Sequence, residues 1–163
     1  MPVNNITRYL DAHKVAYTAF ETPAEKLGAE GTAAILGVPI DIIYKTIVVK
    51  RERGKPILAI VPGADELDLK ALAAALGEKK VHLPTEKEAE ALTGLQAGGI
   101  SPLALINKGF QVVIDSSAQN HAEIHISGGQ RGLNIRLAPA DLAHLTRARF
   151  APIGHETHPP HLE

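Results

Sequence analysis

The stretch "DIIYKTIVVKRERGKPILAIVPG", residues 41–63, constrains this chain more than any other. Two β-branched, apolar runs flank a charged tip, Lys50 to Lys55, that contains one glycine, and this pattern is a β-hairpin signature. Further strand signals follow in "QVVIDSSA" (111–118), "AEIHISGG" (122–129) and "LNIRLA" (133–138), and "VAYTAFE" (15–21) precedes the hairpin. Helical segments lie between them. Neighbouring strands that can pair as hairpins, interleaved with helices, point to a mixed α/β (α+β) sheet rather than an all-parallel, doubly wound one.

The helices carry their own punctuation. Asn4 or Asn5 can cap a helix in which Ile6, Tyr9, Leu10 and His13 share a face. The alanine-rich segment Ala24 to Leu36 should end at Gly37, and "LDLKALAAALG" at Gly77. Thr85 with Glu88 forms a capping box for "TEKEAEALTG", and Pro139 opens a last helix, "PADLAHL". With 163 residues, one compact domain over 1–152 is expected, followed by a His- and Pro-rich tail, 153–163, that frays in solvent. His155, His158 and His161 are evenly spaced in that tail, but prolines prevent the helix that would align them on a metal. No metal site and no cofactor is expected.

Composition removes several classes of function. A net charge of −1 excludes a protein that holds nucleic acid by bulk electrostatics, so any such partner must be met locally. Three Phe, three Tyr and no Trp leave no extended stacking platform. With no cysteine there is no disulfide, thiolate nucleophile or cysteine-bound metal. No run approaches the ~20 apolar residues of a membrane span and the amino terminus lacks a signal-peptide core, so a cytoplasmic protein with no membrane partner is expected.

Few residues could do chemistry. Strand alternation puts Lys45 on the face of Ile43, Ile47 and Val49. An ammonium among such residues must find a carboxylate, line a cavity that receives an anionic ligand, or snorkel to the sheet edge. The loop "LQAGGISPLAL" (95–105) pairs two glycines with a proline, a rigid cradle poor in side chains or else a structural turn. It is not a nucleophile elbow, because Leu103 stands where G-x-S-x-G needs glycine. "ISGGQRGLNI" (126–135) lacks the lysine and spacing of a phosphate loop and reads as a tight turn with Arg131 exposed. His82, His121, His125 and His144 are scattered, and Asp115 either orients a site or ends a strand.

"YKTIVV", "LDLKALAAALG", "GGISPL", "VVID" and "ISGGQRGLNI" occur in the order and spacing of the YbaK family. The chain resembles these free-standing aminoacyl-tRNA deacylases, relatives of the editing domain of bacterial prolyl-tRNA synthetase, over roughly residues 5–150. The resemblance implies a mixed, partly barrel-like sheet surrounded by helices. It also implies hydrolysis of the ester joining a wrong amino acid, cysteine or alanine, to tRNA(Pro). Lys45 would bind the acceptor end, and the amides around Gly98, Gly99 and Ile100 would hold the substrate carbonyl. Phe20, Thr46, Ser101, Pro102, Ser127 and Asn134 would assist in binding the substrate. The attacking group would be a cysteinyl substrate's own thiol or a water, and prolyl-tRNA synthetase is a partner that could supply the tRNA affinity the charge lacks. Cysteine-specific members have a longer segment than "ETPAEK", an aromatic near Leu27, Gly28 and Ala29, and an aspartate at Asn134. These departures leave the amino acid open. The alternative reading is a non-catalytic module that grips tRNA ends or a synthetase.

Overall fold

A computed structural model describes residues 4–156. The hairpin forms as expected, from β2 (Tyr44–Arg51) and β3 (Ile57–Pro62), antiparallel with Tyr44 opposite Pro62 and Val49 opposite Ile57. Strand β1, Tyr17–Glu21, precedes the hairpin. All six β3 residues are buried, because the strand is central in a five-stranded sheet ordered β5-β2-β3-β6-β9. Its other members are β5 (Val81–His82), antiparallel to β2, and β6 (Gln111–Asp115) and β9 (Arg149–Ala151), each parallel to its neighbour. The sheet is therefore mixed.

Alternation along β2 and β3 divides the core. Tyr44, Val48, Leu58 and Ile60 face one cluster, which also takes Ile6 and Leu10 of α1 (Asn5–Ala12) and Leu142 of α5 (Pro139–Thr146). Val49, Ile57, Ala59 and Val61 face a second cluster with Leu72 and Ala73 of α3 (Leu69–Leu76). Burial on both faces explains why the β2 and β3 runs are nearly continuous in apolar residues. The first cluster is closed from outside by a three-stranded antiparallel sheet, β1-β8-β7, in which β7 is Ile124–Ser127 and β8 is Leu133–Leu137. One bridge, Ile43 to His125, joins this sheet to the start of β2.

Local signals set the helix ends. Asn4, rather than Asn5, caps α1, and Thr85 with Glu88 makes the capping box of α4 (Glu86–Thr93). Gly37, Gly77 and Gly94 end α2 (Gly28–Leu36), α3 and α4 in the left-handed conformation. The mixed sheet packed among helices is as expected; the described strands do not close on themselves, their hydrogen bonding being split among three sheets. Three expectations need correction. Helix α2 starts at Gly28, four residues after Ala24. The strand over 111–118 stops at Asp115, whose side chain caps a 3-10 turn at Ser116–Asn120. The frayed tail does not begin at 153: Ile153 is fully buried and Gly154–Glu156 forms β10, antiparallel to β4 (Asp65–Leu67). His155 lies 3.4 Å from Glu66, while His158 and His161 fall outside the described residues. No helix among the described residues is long and apolar enough to cross a membrane.

Candidate active site

Where the β1-β8-β7 sheet meets the start of β2, the chain leaves a cavity of about 290 Å3. This is near the lower bound of ~300 Å3 for small-molecule sites, suited to an amino acid with part of a ribose rather than a whole nucleotide. Six residues that the sequence motifs single out line it: Lys45, Thr46, Gly98, Ile100, Ser127 and Asn134. They arrive from four separate elements. The opposite wall comes from the approach to α2 and its first turns, including Leu27, Ala29 and Thr32.

Among the described residues Lys45 takes neither a carboxylate partner nor a route to the sheet edge. Its Nζ donates to the main-chain carbonyls of Asp65 (2.6 Å), the first residue of β4, and of Gly63 (3.2 Å) in the turn before it. One of the three ammonium N–H bonds is left for a ligand. The turn comes this close because residue 63 is glycine: a Cβ there would lie 2.2 Å from that of Ala29, and the Gly63 N–H donates to the Ile43 carbonyl (2.7 Å). Burial pushes the Lys45 pKa below its ordinary 10.5, and the charges of Asp65 and Glu66 partly oppose that shift.

Gly98 and Ile100 of the glycine loop line the same space. Gly98 sits at φ +89°, a conformation that strains any residue with a side chain. The N–H groups of Gly98 and Ile100 have no partner among the described residues. Gly99 differs. Its N–H is bonded to the Gln96 carbonyl (2.8 Å), and a Cβ there would lie 2.8 Å from the Gln130 Cα. The cradle therefore offers two amides rather than three, and Gly99 lets the loop pack on the turn that carries Arg131. Arg131 is half-buried, not exposed, and its Nε donates to the Ala97 carbonyl (2.6 Å), anchoring the loop from the far side.

Three other residues expected to touch substrate do not line the cavity. Ser101 is fully buried, and its Oγ accepts from the Leu103 N–H (3.2 Å) to start a 3-10 turn at Pro102–Ala104. Pro102 is buried in that turn, so both residues buttress the loop from behind. Phe20, opposite Asn134 in the β1–β8 register, packs its ring 5.5 Å from that of His125 and 5.1 Å from the Arg136 guanidinium carbon.

His125 was not singled out by its neighbours in sequence, yet it sits directly behind the cavity wall. It is fully buried, and its Nδ1–H donates to the Asn134 Oδ1 (2.7 Å). Burial lowers its pKa, an effect that the Asn134 hydrogen bond partly offsets. Its Nε2 and the Thr46 Oγ1 are both buried without a partner among the described residues. The signal that could have found it is β pairing: His125 and Ser127 share a face of β7, and Ser127 stands opposite Asn134.

A cavity lined by one cation and by the unpaired amides of Gly98 and Ile100, with no serine or histidine among the described residues placed as a nucleophile-base pair, suits an already activated ester. The model of the aminoacyl-tRNA editing domain matches residues 24–145. The chain belongs to the aminoacyl-tRNA editing domain family. Within it, the chain is 40% identical over 151 residues to an Enterococcus faecalis protein, EbsC, named as a candidate Cys-tRNA(Pro)/Cys-tRNA(Cys) deacylase; the match covers 91% of this chain and 92% of EbsC. It is 30% identical to a proline–tRNA ligase of Pelobacter propionicus, over 72% of this chain but only 20% of that enzyme. A solved structure titled as a candidate trans-editing enzyme for prolyl-tRNA synthetase superposes with a TM-score of 0.78 at 25% identity, covering 94% of this chain and 99% of that one. The resemblance to YbaK deacylases read from five motifs is borne out, and this editing-domain protein is an aminoacyl-tRNA hydrolase.

Proposed function

We propose that the protein removes wrongly attached amino acids from tRNA(Pro) in trans, with cysteine the preferred cargo, and that Lys45 with the amides of Gly98 and Ile100 forms the working site. The observation that carries this reading is that Lys45, with two of its three N–H bonds taken, lines one cavity of amino-acid size together with Gly98 and Ile100, whose N–H groups have no partner among the described residues. A synthetase pocket rejects a smaller or isosteric side chain by only ~1–3 kcal/mol, so a second site must destroy the errors.

The ester carbonyl oxygen accepts from the Gly98 and Ile100 N–H groups, which stabilise the charge that grows on it under attack. Lys45 holds the phosphate or ribose oxygens of the terminal nucleotide, so that the carbonyl stays over the cradle. For a cysteinyl substrate the thiol sulfur attacks the carbonyl carbon. A C–S bond forms, the C–O bond to the ribose breaks, and the ribose oxygen takes the thiol proton. A water performs the equivalent attack on an alanyl ester. The protein's near-neutral net charge gives tRNA little to hold beyond its end, and association with prolyl-tRNA synthetase supplies the missing affinity.

Incubation with tRNA(Pro) carrying Cys, Ala, Ser or Pro tests the proposal. Fast loss of cysteine, slower loss of alanine and retention of proline are expected. Equal loss of proline, or no loss of any of them, contradicts it.

The pH dependence has a defined sign. Lys45 works as the ammonium, and its pKa in the folded protein lies below 10.5. Enzyme-catalysed deacylation is therefore present below that folded pKa and lost as pH rises through it, once the base-catalysed background is subtracted. A catalysed rate that keeps climbing to pH 10.5 contradicts the assignment.

Asn134 gives a second handle. Asn134→Asp puts a carboxylate against the His125 ring, which favours the imidazolium and raises its pKa. NMR titration of the His125 ring should show that rise together with an altered preference between Cys and Ala. An unmoved titration would mean that residue 134 does not govern the ring.

A further inference from the structure

Asp115 is nearly fully buried, has no cation paired with it among the described residues, and plays no part in the chemistry above. A carboxylate in that position needs hydrogen bonds, and it has four. Oδ1 accepts from the N–H groups of Ile153 and Gly154, each at 2.9 Å. Oδ2 accepts from the Ser117 N–H (3.2 Å) and from the Ser117 hydroxyl.

Each pair of bonds leads to Lys45. From Oδ1, the fixed Ile153–Gly154 step begins β10, and the Ile153 carbonyl accepts from the Asp68 N–H (2.6 Å). Strand β10 then runs along β4, with Gly154 opposite Leu67 and Glu156 opposite Asp65. The Asp65 carbonyl, at the end of that pairing, is the nearer acceptor of the Lys45 ammonium. From Oδ2, the Ser117 hydroxyl receives the Tyr44 hydroxyl at 2.7 Å, and Tyr44 precedes Lys45 in β2. One buried carboxylate thus holds the lysine's strand on one side and the turn that seats its Nζ on the other.

We propose that Asp115 is a positioning residue for Lys45, and that the C-terminal strand β10 is a working brace of the site. The proposal rests on the assignment of Lys45 given above. It also accounts for why a three-residue strand near the chain's end is tied to a central strand by a buried charge.

Substitution in the full-length chain tests it. Asp115→Asn keeps the shape but replaces one acceptor oxygen with an NH2 group that faces donors. Single-turnover deacylation of Cys-tRNA(Pro) should fall about ten- to hundredfold, with KM changed by less than about threefold, because the lysine is displaced rather than the pocket lost. Gly154→Pro removes one donor to Oδ1 while keeping the carboxylate, and should act in the same direction if Asp115→Asn folds poorly. An unchanged rate in both Asp115→Asn and Gly154→Pro, in protein that folds, overturns the proposal.

NMR of the 15N-labelled lysine side chains separates this outcome from the fate of the functional reading. A moved Lys45 ammonium signal in Asp115→Asn supports positioning even if no tRNA substrate is turned over. An unmoved one overturns it even if the enzyme is active.

Discussion

Replacing Lys45 with alanine should lower single-turnover deacylation of Cys-tRNA(Pro) by about 10²- to 10³-fold, the cost of losing the contact that keeps the carbonyl over the cradle. Stability should change far less, by about 1 kcal/mol, because the ammonium's two hydrogen bonds to the Gly63 and Asp65 carbonyls are offset by the cost of burying its charge. The contrast between a large rate effect and a small change in Tm marks a functional side chain. Lys45→Arg should not rescue the rate, since a planar guanidinium cannot place one N–H on each of two carbonyls and keep a third for substrate in the space an ammonium occupies. A module that only grips tRNA over a wide surface would lose little from either change. Intact deacylation in Lys45→Ala would show that the chemistry is elsewhere.

Gly98→Ala should be nearly as damaging for a different reason. The residue lies at φ +89°, where a side chain costs about 1–3 kcal/mol, and its new Cβ would stand 3.2 Å from the Arg131 Nε and 3.5 Å from the Lys26 Cγ. Relief of the positive-φ strain turns the loop, which re-aims the Gly98 N–H. Loss of one such donor costs about 10²- to 10³-fold in rate. Gly77→Ala is the control: Gly77 also has positive φ, but a Cβ there meets nothing within 4 Å and the site is remote from the cavity lining. That variant should lose stability and keep its turnover per folded molecule. Equal loss of turnover in the two variants would reduce Gly98 to a structural turn.

The elements legible in the sequence are those that local chemistry decides. The hairpin is written in two β-branched runs and a charged tip, and helix ends are written in Asn4, Thr85 with Glu88, and the glycines at 37, 77 and 94. Strands β4, β5, β9 and β10 are two or three residues long and owe their existence to the partner they meet, so no periodicity announces them. The start of the tail reads as frayed for this reason: "IGHE" carries no strand pattern, and its order comes from Asp115, whose carboxylate accepts from the backbone of Ile153, 38 residues on.

Site residues divide in the same way. The motifs around Lys45, Gly98 and Asn134 lead directly to the cavity. Adjacency in sequence could not separate the residues that face it from those that support it, so Gly99, Ser101 and Pro102 were grouped with Gly98 and Ile100 although they brace the loop. His125 and the wall formed by Leu27, Ala29 and Thr32 depend on sheet register and on how α2 docks, neither of which a single motif records.

The central claim is that the aminoacyl end of the tRNA lies between Lys45 and the glycine loop. NMR titration of the labelled protein with a non-hydrolysable amide analogue of 3′-cysteinyl-adenosine carrying a 5′-phosphate tests it most directly. The Gly98 and Ile100 amides and the Lys45 ammonium should shift together and saturate together, while the Gly99 amide, already bonded to the Gln96 carbonyl, shifts less. Saturable shifts that leave these three signals in place, or no saturable shift anywhere, would contradict the account.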